Sequence, residues 1–164
     1  MTEIMFLDAA TQCGVAEGPT DGQPRLYTVN FAARDDAHVF ARAQGWLARR
    51  LSQPPIPKAI WIEEPQRGRW DNATYRLVGL GAALSGTAAL FGVPSHFANV
   101  RTVRKFTLGR GDLPGDDAKR LAMRLARASG LDPNNLDEAD AWAGWMFACS
   151  LYRENDLIAR SRVA

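Results

Sequence analysis

Two cysteines and two histidines are all the thiol and imidazole ligands in these 164 residues, and none of the four lies near another. Without a CxxC pair or a Cys/His cluster, the chain excludes a structural zinc site and a disulfide framework, and Cys13 and Cys149 fit a reducing cytosol. His38 and His96 are given no role. No apolar run is long enough to cross a bilayer and no secretory leader is evident, so the expectation is a cytoplasmic protein with no membrane association. Internal repeats, linkers and low-complexity tracts are also missing, which leaves one domain over 1–164, long enough to bury a sizeable core. Gly79-Leu80-Gly81 is no dinucleotide fingerprint, because the third glycine is misplaced and the preceding segment is polar. Charge is nearly balanced, with Lys+Arg 20 against Asp+Glu 18. If some of those acids are gathered in one site, the remaining surface is more basic than the +2 total, which makes nucleic acid a plausible partner.

What the sequence does have is carboxylates at the ends of apolar runs. Asp8 closes Ile4-Met5-Phe6-Leu7, which reads as a buried strand. Burying an isolated carboxylate costs several kcal/mol unless a cation or a proton answers it, and the residues that follow, Ala9-Ala10-Thr11, are small and turn-forming. Glu63 and Glu64 close Ala59-Ile60-Trp61-Ile62, and Asp137 and Asp140 open the otherwise apolar segment Ala139 to Ala148. Oxygen donors without sulfur or imidazole select hard cations such as Mg²⁺ and point to metal-assisted phosphoryl chemistry. Neighbouring strand residues face opposite ways, so the residues alone leave Glu63 and Glu64 as alternatives. Asp137 lies in a first helical turn, where the helix dipole alone accounts for an acid; Asp140 lies beyond that turn among apolar residues.

The predicted order of elements is βββαβαβαα. Strands are expected at Ile4–Asp8, Gly14–Glu17 and Leu26–Phe31, forming an antiparallel meander, then at Ala59–Ile62 and His96–Val100. Helices are expected at Asp35–Leu51, Asn72–Phe91 and Asp116–Ser129, with a last one capped by Asn135 and closed by a capping box to Glu138. Val103 to Leu108 reads as an extended segment entering the loop Gly109-Arg110-Gly111-Asp112. The tryptophans Trp46, Trp61, Trp142 and Trp145 read as core. Trp70, in a loop with Arg67 and Arg69, is a candidate for stacking on an exposed base.

This order, with carboxylates on the first strand, the fourth strand and the last helix, resembles the ribonuclease H-like fold and, within it, the RuvC family of Holliday-junction resolvases. Leu7-Asp8-Ala9-Ala10-Thr11-Gln12-Cys13-Gly14 resembles the family's hydrophobic-Asp-x-Gly-Thr-x-x-Gly signature, with Ala10 where the family usually has Gly. Ile62-Glu63-Glu64-Pro65 resembles its Ile-Glu strand end. Val103-Arg104-Lys105-Phe106-Thr107-Leu108-Gly109 resembles the segment where basic residues meet DNA, and Asp137-Glu138-Ala139-Asp140-Ala141 resembles its Asp-x-Ala-Asp-Ala helix. The compact spacing from Asp8 to Gly14 is similar to phage-type resolvases.

The resemblance implies an α/β, ribonuclease H-like fold, a five-stranded mixed sheet flanked by helices. It implies a crossover junction endodeoxyribonuclease of a bacterial or phage-infected cell, a metal-dependent homodimer that cuts four-way DNA junctions. It favours Glu63 over Glu64 and assigns Asp8, Glu63, Asp137 and Asp140 as catalytic metal ligands. Two Mg²⁺ or Mn²⁺ ions about 3.5–4 Å apart suit phosphodiester hydrolysis, and Asp8 is the expected bridge between them. Arg104 and Lys105, the helical cations Lys119, Arg120, Arg124 and Arg127, and the loop residues Arg67 and Arg69 are the expected DNA contacts. Alternatives within the fold are nucleases of RNA–DNA hybrids, forks or flaps; from another class, a catalytically inactive junction-binding protein. Actin-like ATPases and sugar kinases share the Asp-x-x-Thr-x-x-Gly turn but need two such domains, and this chain is too short for that.

Overall fold

The computed structural model describes residues 2–65 and 72–161. Strand β1 (Glu3–Asp8) lies at the centre of a five-stranded sheet. Strands β2 (Gln12–Pro19) and β3 (Arg25–Asn30) follow it as an antiparallel meander, as expected. On the other side of β1, strand β4 (Ala59–Glu63) pairs in parallel, and β5 (Ser95–Ala98) pairs in parallel with β4. The order across the sheet is β3-β2-β1-β4-β5. The parallel pairs need crossover connections, which the helices supply.

Alternation along β1 divides the core into two layers. Met5 and Leu7 face α1 (Asp36–Leu51) and α2 (Asn72–Leu90), packing with Val39, Leu47, Leu80 and Leu84. Ile4 and Phe6 face the opposite layer, α3 (Val100–Leu108), α4 (Gly115–Ala128) and α5 (Leu136–Ser161), packing with Ala122, Ala139, Trp142 and Trp145. Trp142 and Trp145 are core residues, with Trp61 and Trp46 partly buried against the core: Trp145 is 1% exposed and donates from Nε1 to the Ile4 carbonyl, and Trp46 packs on Phe31.

Three readings of the sequence are corrected. The segment containing Val103 to Leu108 is helical, not extended. Asn99 accepts hydrogen bonds from the amides of Arg101 and Thr102, Gly109 ends the helix at φ +78°, and Val100, Val103 and Arg104 form its buried side. Strand β5 therefore stops at Ala98, and the order becomes βββαβαβααα. The capping box at α5 is displaced by one residue. Asn135 caps the amides of Asp137 and Glu138, but Glu138 reaches back to the amide of Asn134, not to that of Asn135.

Candidate active site

Strand parity explains how the acids meet. Asp8 continues the Ile4 and Phe6 side of β1, and Glu63 continues the Ala59 and Trp61 side of β4; both sides face α5. Because β1 and β4 are parallel with Leu7 opposite Ile62, the two carboxylates emerge side by side at the same end of the sheet. The first turns of α5 add Asp137 and Asp140. Oxygens of Asp8, Glu63 and Asp140 all lie within 4.8 Å of one another. Asp137 is not one of that trio and joins it through Lys119. Glu64 has the opposite parity and accepts a hydrogen bond from Asn99 Nδ2 at 3.4 Å.

Two glycines let α5 approach the sheet this closely. A Cβ at Gly14 would stand 2.1 Å from the Asp137 carbonyl oxygen, and one at Gly144 would stand 2.1 Å from the Phe6 ring. The start of α5 is further tied to the sheet through Glu138, 3% exposed, which accepts from Thr28 Oγ1 of β3 at 3.2 Å and from the Asn134 amide at 2.8 Å.

Burial sets the electrostatics of the cluster. It raises the Asp8 pKa from 3.8 to about 6, with Lys119 opposing the rise and Asp140 and Asp137 adding to it. Burial also raises Glu63 well above the usual carboxylate range, reinforced by Asp8 and Asp140. Asp140 is raised by burial against the pull of Lys119 and Arg104. Two cations answer these groups. Lys119 Nζ lies 2.7 Å from Asp137 Oδ1, 3.3 Å from Asp8 Oδ2 and 3.8 Å from Asp140 Oδ2. Burial disfavours its charge, but Asp8, Asp137 and Asp140 together raise its pKa above the ordinary lysine value. Arg104, 8% exposed, donates to the Leu113 carbonyl at 3.2 Å, and its Nε has no hydrogen-bond partner among the described residues.

Of the expected DNA contacts, Lys105, Arg120, Arg124 and Arg127 are on the exterior, Arg127 beside Asp132 at 3.5 Å. Arg104 and Lys119 are not. The helix that replaces the extended segment turns Arg104 inward on the side of Val100 and Val103, and Lys119 points into the carboxylates. Sequence reasoning missed both as members of the site. The available signal for Lys119 was its place next to Ala118 in the buried stripe Ala118, Ala122, Ala126. Arg67, Arg69 and Trp70 lie outside the described residues. His38 bonds to Asp35, and His96 stacks on Trp61 with ring centroids 4.7 Å apart.

The site has the donor chemistry of a hard-cation centre: it has only oxygen ligands, carries an excess of negative charge, and its acids are partly desolvated.

No protein-family model matches this sequence, and no curated protein matches it. Solved structures do match. The Thermus thermophilus RuvC structure superposes with a TM-score of 0.73 at 19% identity, covering 93% of this chain and 97% of that one. T. thermophilus RuvC in complex with Holliday junction substrate gives 0.69 at 19% identity, over 87% and 90%. The yeast mitochondrial Holliday junction resolvase Ydc2 gives 0.59 at 13% identity, over 93% and 82%. The chain therefore shares the fold of these structures, the ribonuclease H-like fold that the sequence resemblance implied.

Proposed function

We propose that this chain is a metal-dependent endonuclease that resolves branched DNA, with the four-way junction as its substrate. The observation that carries the proposal is the convergence of Asp8, Glu63 and Asp140 from two parallel strands and a helix, oxygens within 4.8 Å of one another, at one end of the sheet. The reading draws further support from the shared fold of T. thermophilus RuvC, whose complex contains a Holliday junction substrate.

Asp8, Glu63 and Asp140 would hold the metal, and Asp137, joined to them through Lys119, flanks the set. Divalent ions held there, Mg²⁺ or Mn²⁺, supply an activated water and a stabilised leaving oxygen for phosphodiester hydrolysis. The protein's own part is to hold the carboxylates together and partly dry. Gly14 and Gly144 admit α5 to the sheet, and Arg104 supplies a positive charge that favours the ionised forms of Glu63 and Asp140. Lys105, Arg120 and Arg124 offer phosphate contacts around the site.

A four-way junction presents two symmetry-related strands, and a two-fold dimer supplies two sites at a fixed separation. Helix α2 suits that role. Tyr75, Val78 and Leu90 are 59%, 45% and 85% exposed, and Ala82 and Gly86 leave room between them for close approach of a second helix. Phe97 of β5, 48% exposed, extends the same apolar surface and lies over Gly81.

The test is incubation with labelled four-way junction, duplex, flap and RNA–DNA hybrid, with and without Mg²⁺, and sedimentation to determine oligomeric state. Symmetric metal-dependent cutting of the junction by a dimer is expected. Preferential cutting of flap or hybrid would move the chain to another nuclease of this fold, and junction binding without cutting would make it a structural binder.

A further inference from the structure

We infer that Lys119 is the resident counter-cation of the carboxylate cluster, and that metal must displace it, so that this side chain sets the affinity of the site for divalent ions. The inference rests on the metal-site reading above and deepens it.

The stem of Lys119 leaves α4 beside the buried stripe Ala118, Ala122, Ala126, which packs against α5, and the seam carries the ammonium to the acids. There it spans three carboxylates, hydrogen-bonding Asp137 at 2.7 Å and Asp8 at 3.3 Å and facing Asp140 at 3.8 Å. Two of these, Asp8 and Asp140, belong to the trio that offers ligand oxygens. The ammonium and a metal ion therefore draw on the same two carboxylates.

The two cations of the site differ in their freedom to leave. Arg104 is 8% exposed, and its guanidinium, a rigid planar group, is tied to the Leu113 carbonyl. The Lys119 side chain is 26% exposed, carries its charge on four flexible carbons, and among the described residues its ammonium hydrogen-bonds only to carboxylates. With both cations in place, Asp8, Glu63, Asp137 and Asp140 in their ionised forms exceed the positive charge by two, enough to attract a divalent ion. Binding two such ions requires a mobile positive charge to withdraw, and Lys119 is the one able to do so. While metal is absent, the same contacts keep the like-charged acids from forcing α5 off β1.

The prediction is that metal exposes Lys119. The chain has three lysines, and the other two, Lys58 and Lys105, are exposed and serve as internal references. Amine acetylation of the full chain, read by mass spectrometry, should be several-fold slower at Lys119 than at the references in EDTA. Saturating Mn²⁺ should accelerate it roughly threefold or more at Lys119 alone, as expected of a side chain released from hydrogen bonds. In parallel, calorimetric titration with Mn²⁺ should show that Lys119→Met binds about tenfold more tightly than the unmodified chain, about 1.4 kcal/mol.

The labelling arm uses the unaltered protein and stands even if the variant does not fold in EDTA. Mn²⁺ binding with no change in Lys119 labelling, or binding that Lys119→Met leaves equal or weaker, overturns the inference and leaves the metal site intact. Failure of the unmodified chain to bind Mn²⁺ at all overturns the metal-site reading and the inference with it.

Discussion

The α-carbon of Gly14 on β2 sits directly beneath the backbone carbonyl of Asp137: a Cβ there would be 2.1 Å from that oxygen and 2.5 Å from its carbon. Both neighbours are backbone atoms at the start of α5, so no side chain can swing away to relieve the clash. Gly14→Ala is therefore expected to push the first turn of α5 outward, destabilising the protein by about 1–3 kcal/mol as overpacking does. Asp137 and Asp140 should move away from Asp8 with it. Urea unfolding and Mn²⁺ titration check this: stability and metal affinity should fall together.

Glu63 ends β4 and Glu64 follows it, and of the two only Glu63 shares the Asp8 cluster. Glu63→Gln is expected to reduce single-turnover cleavage at least about a hundredfold, about 2.7 kcal/mol of barrier. Glu64→Gln should change it by less than about threefold, a barrier change below about 0.7 kcal/mol. Asp8→Asn is the uncleaving control, since it removes the central charge without removing a phosphate contact. Equal losses at Glu63 and Glu64 would dismantle the ligand assignment.

Asp8 gives the metal-free protein a defined pH response. Its pKa is raised from 3.8 to about 6, chiefly by burial, so between those values the folded chain holds a proton that the unfolded chain has released. Its contribution to stability is fully present below 3.8 and is lost as pH rises through about 6. Glu63 and Asp140 shift in the same direction. In EDTA, the unfolding free energy of the unmodified chain relative to Asp8→Asn should fall by about 1–3 kcal/mol as pH rises through that window. Metal binding below pH 6 should release protons, and the cleavage rate should climb toward neutrality. A flat difference between the two proteins in denaturant titrations across the window would contradict the assignment.

Lys105 and Arg124 are exposed cations on α3 and α4, the helices that also carry Arg104 and Lys119. Replacing either with Ala should lower the slope of log affinity against log salt by roughly one unit for duplex arms, with no change in which sequence is cut. Cleavage at saturating protein should recover, because the metal site is untouched. An unchanged salt slope would remove the residue from the DNA face, and a rate that stays low at saturation would place Lys105 beside the scissile phosphate.

The sequence by itself determined the elements whose signals are local. Asp8 stands out because a charge closing an uninterrupted apolar run has no bland explanation once the run is buried, and β1 is buried from Ile4 to Asp8. Helices α1, α2 and α4 begin and end within about one residue of where the sequence signals put them, and α5 begins just after its Asn135 cap. Where two local signals competed, the reading failed. The β-branched residues Val100, Thr102 and Val103 suggest extension, but Asn99 and Gly109 cap a helix that buries Val100, Val103 and Arg104 against α5. The choices left to tertiary structure all depend on which face of the sheet α5 covers. That packing gives Glu63 rather than Glu64 to the cluster, makes Gly14 and Gly144 contact points, and turns Arg104 and Lys119 from expected DNA contacts into the cations of the site. A strand's alternation says that two faces exist; only the element packed against one of them decides which charges are desolvated together, and desolvation is what shifts these acids and draws the cations in.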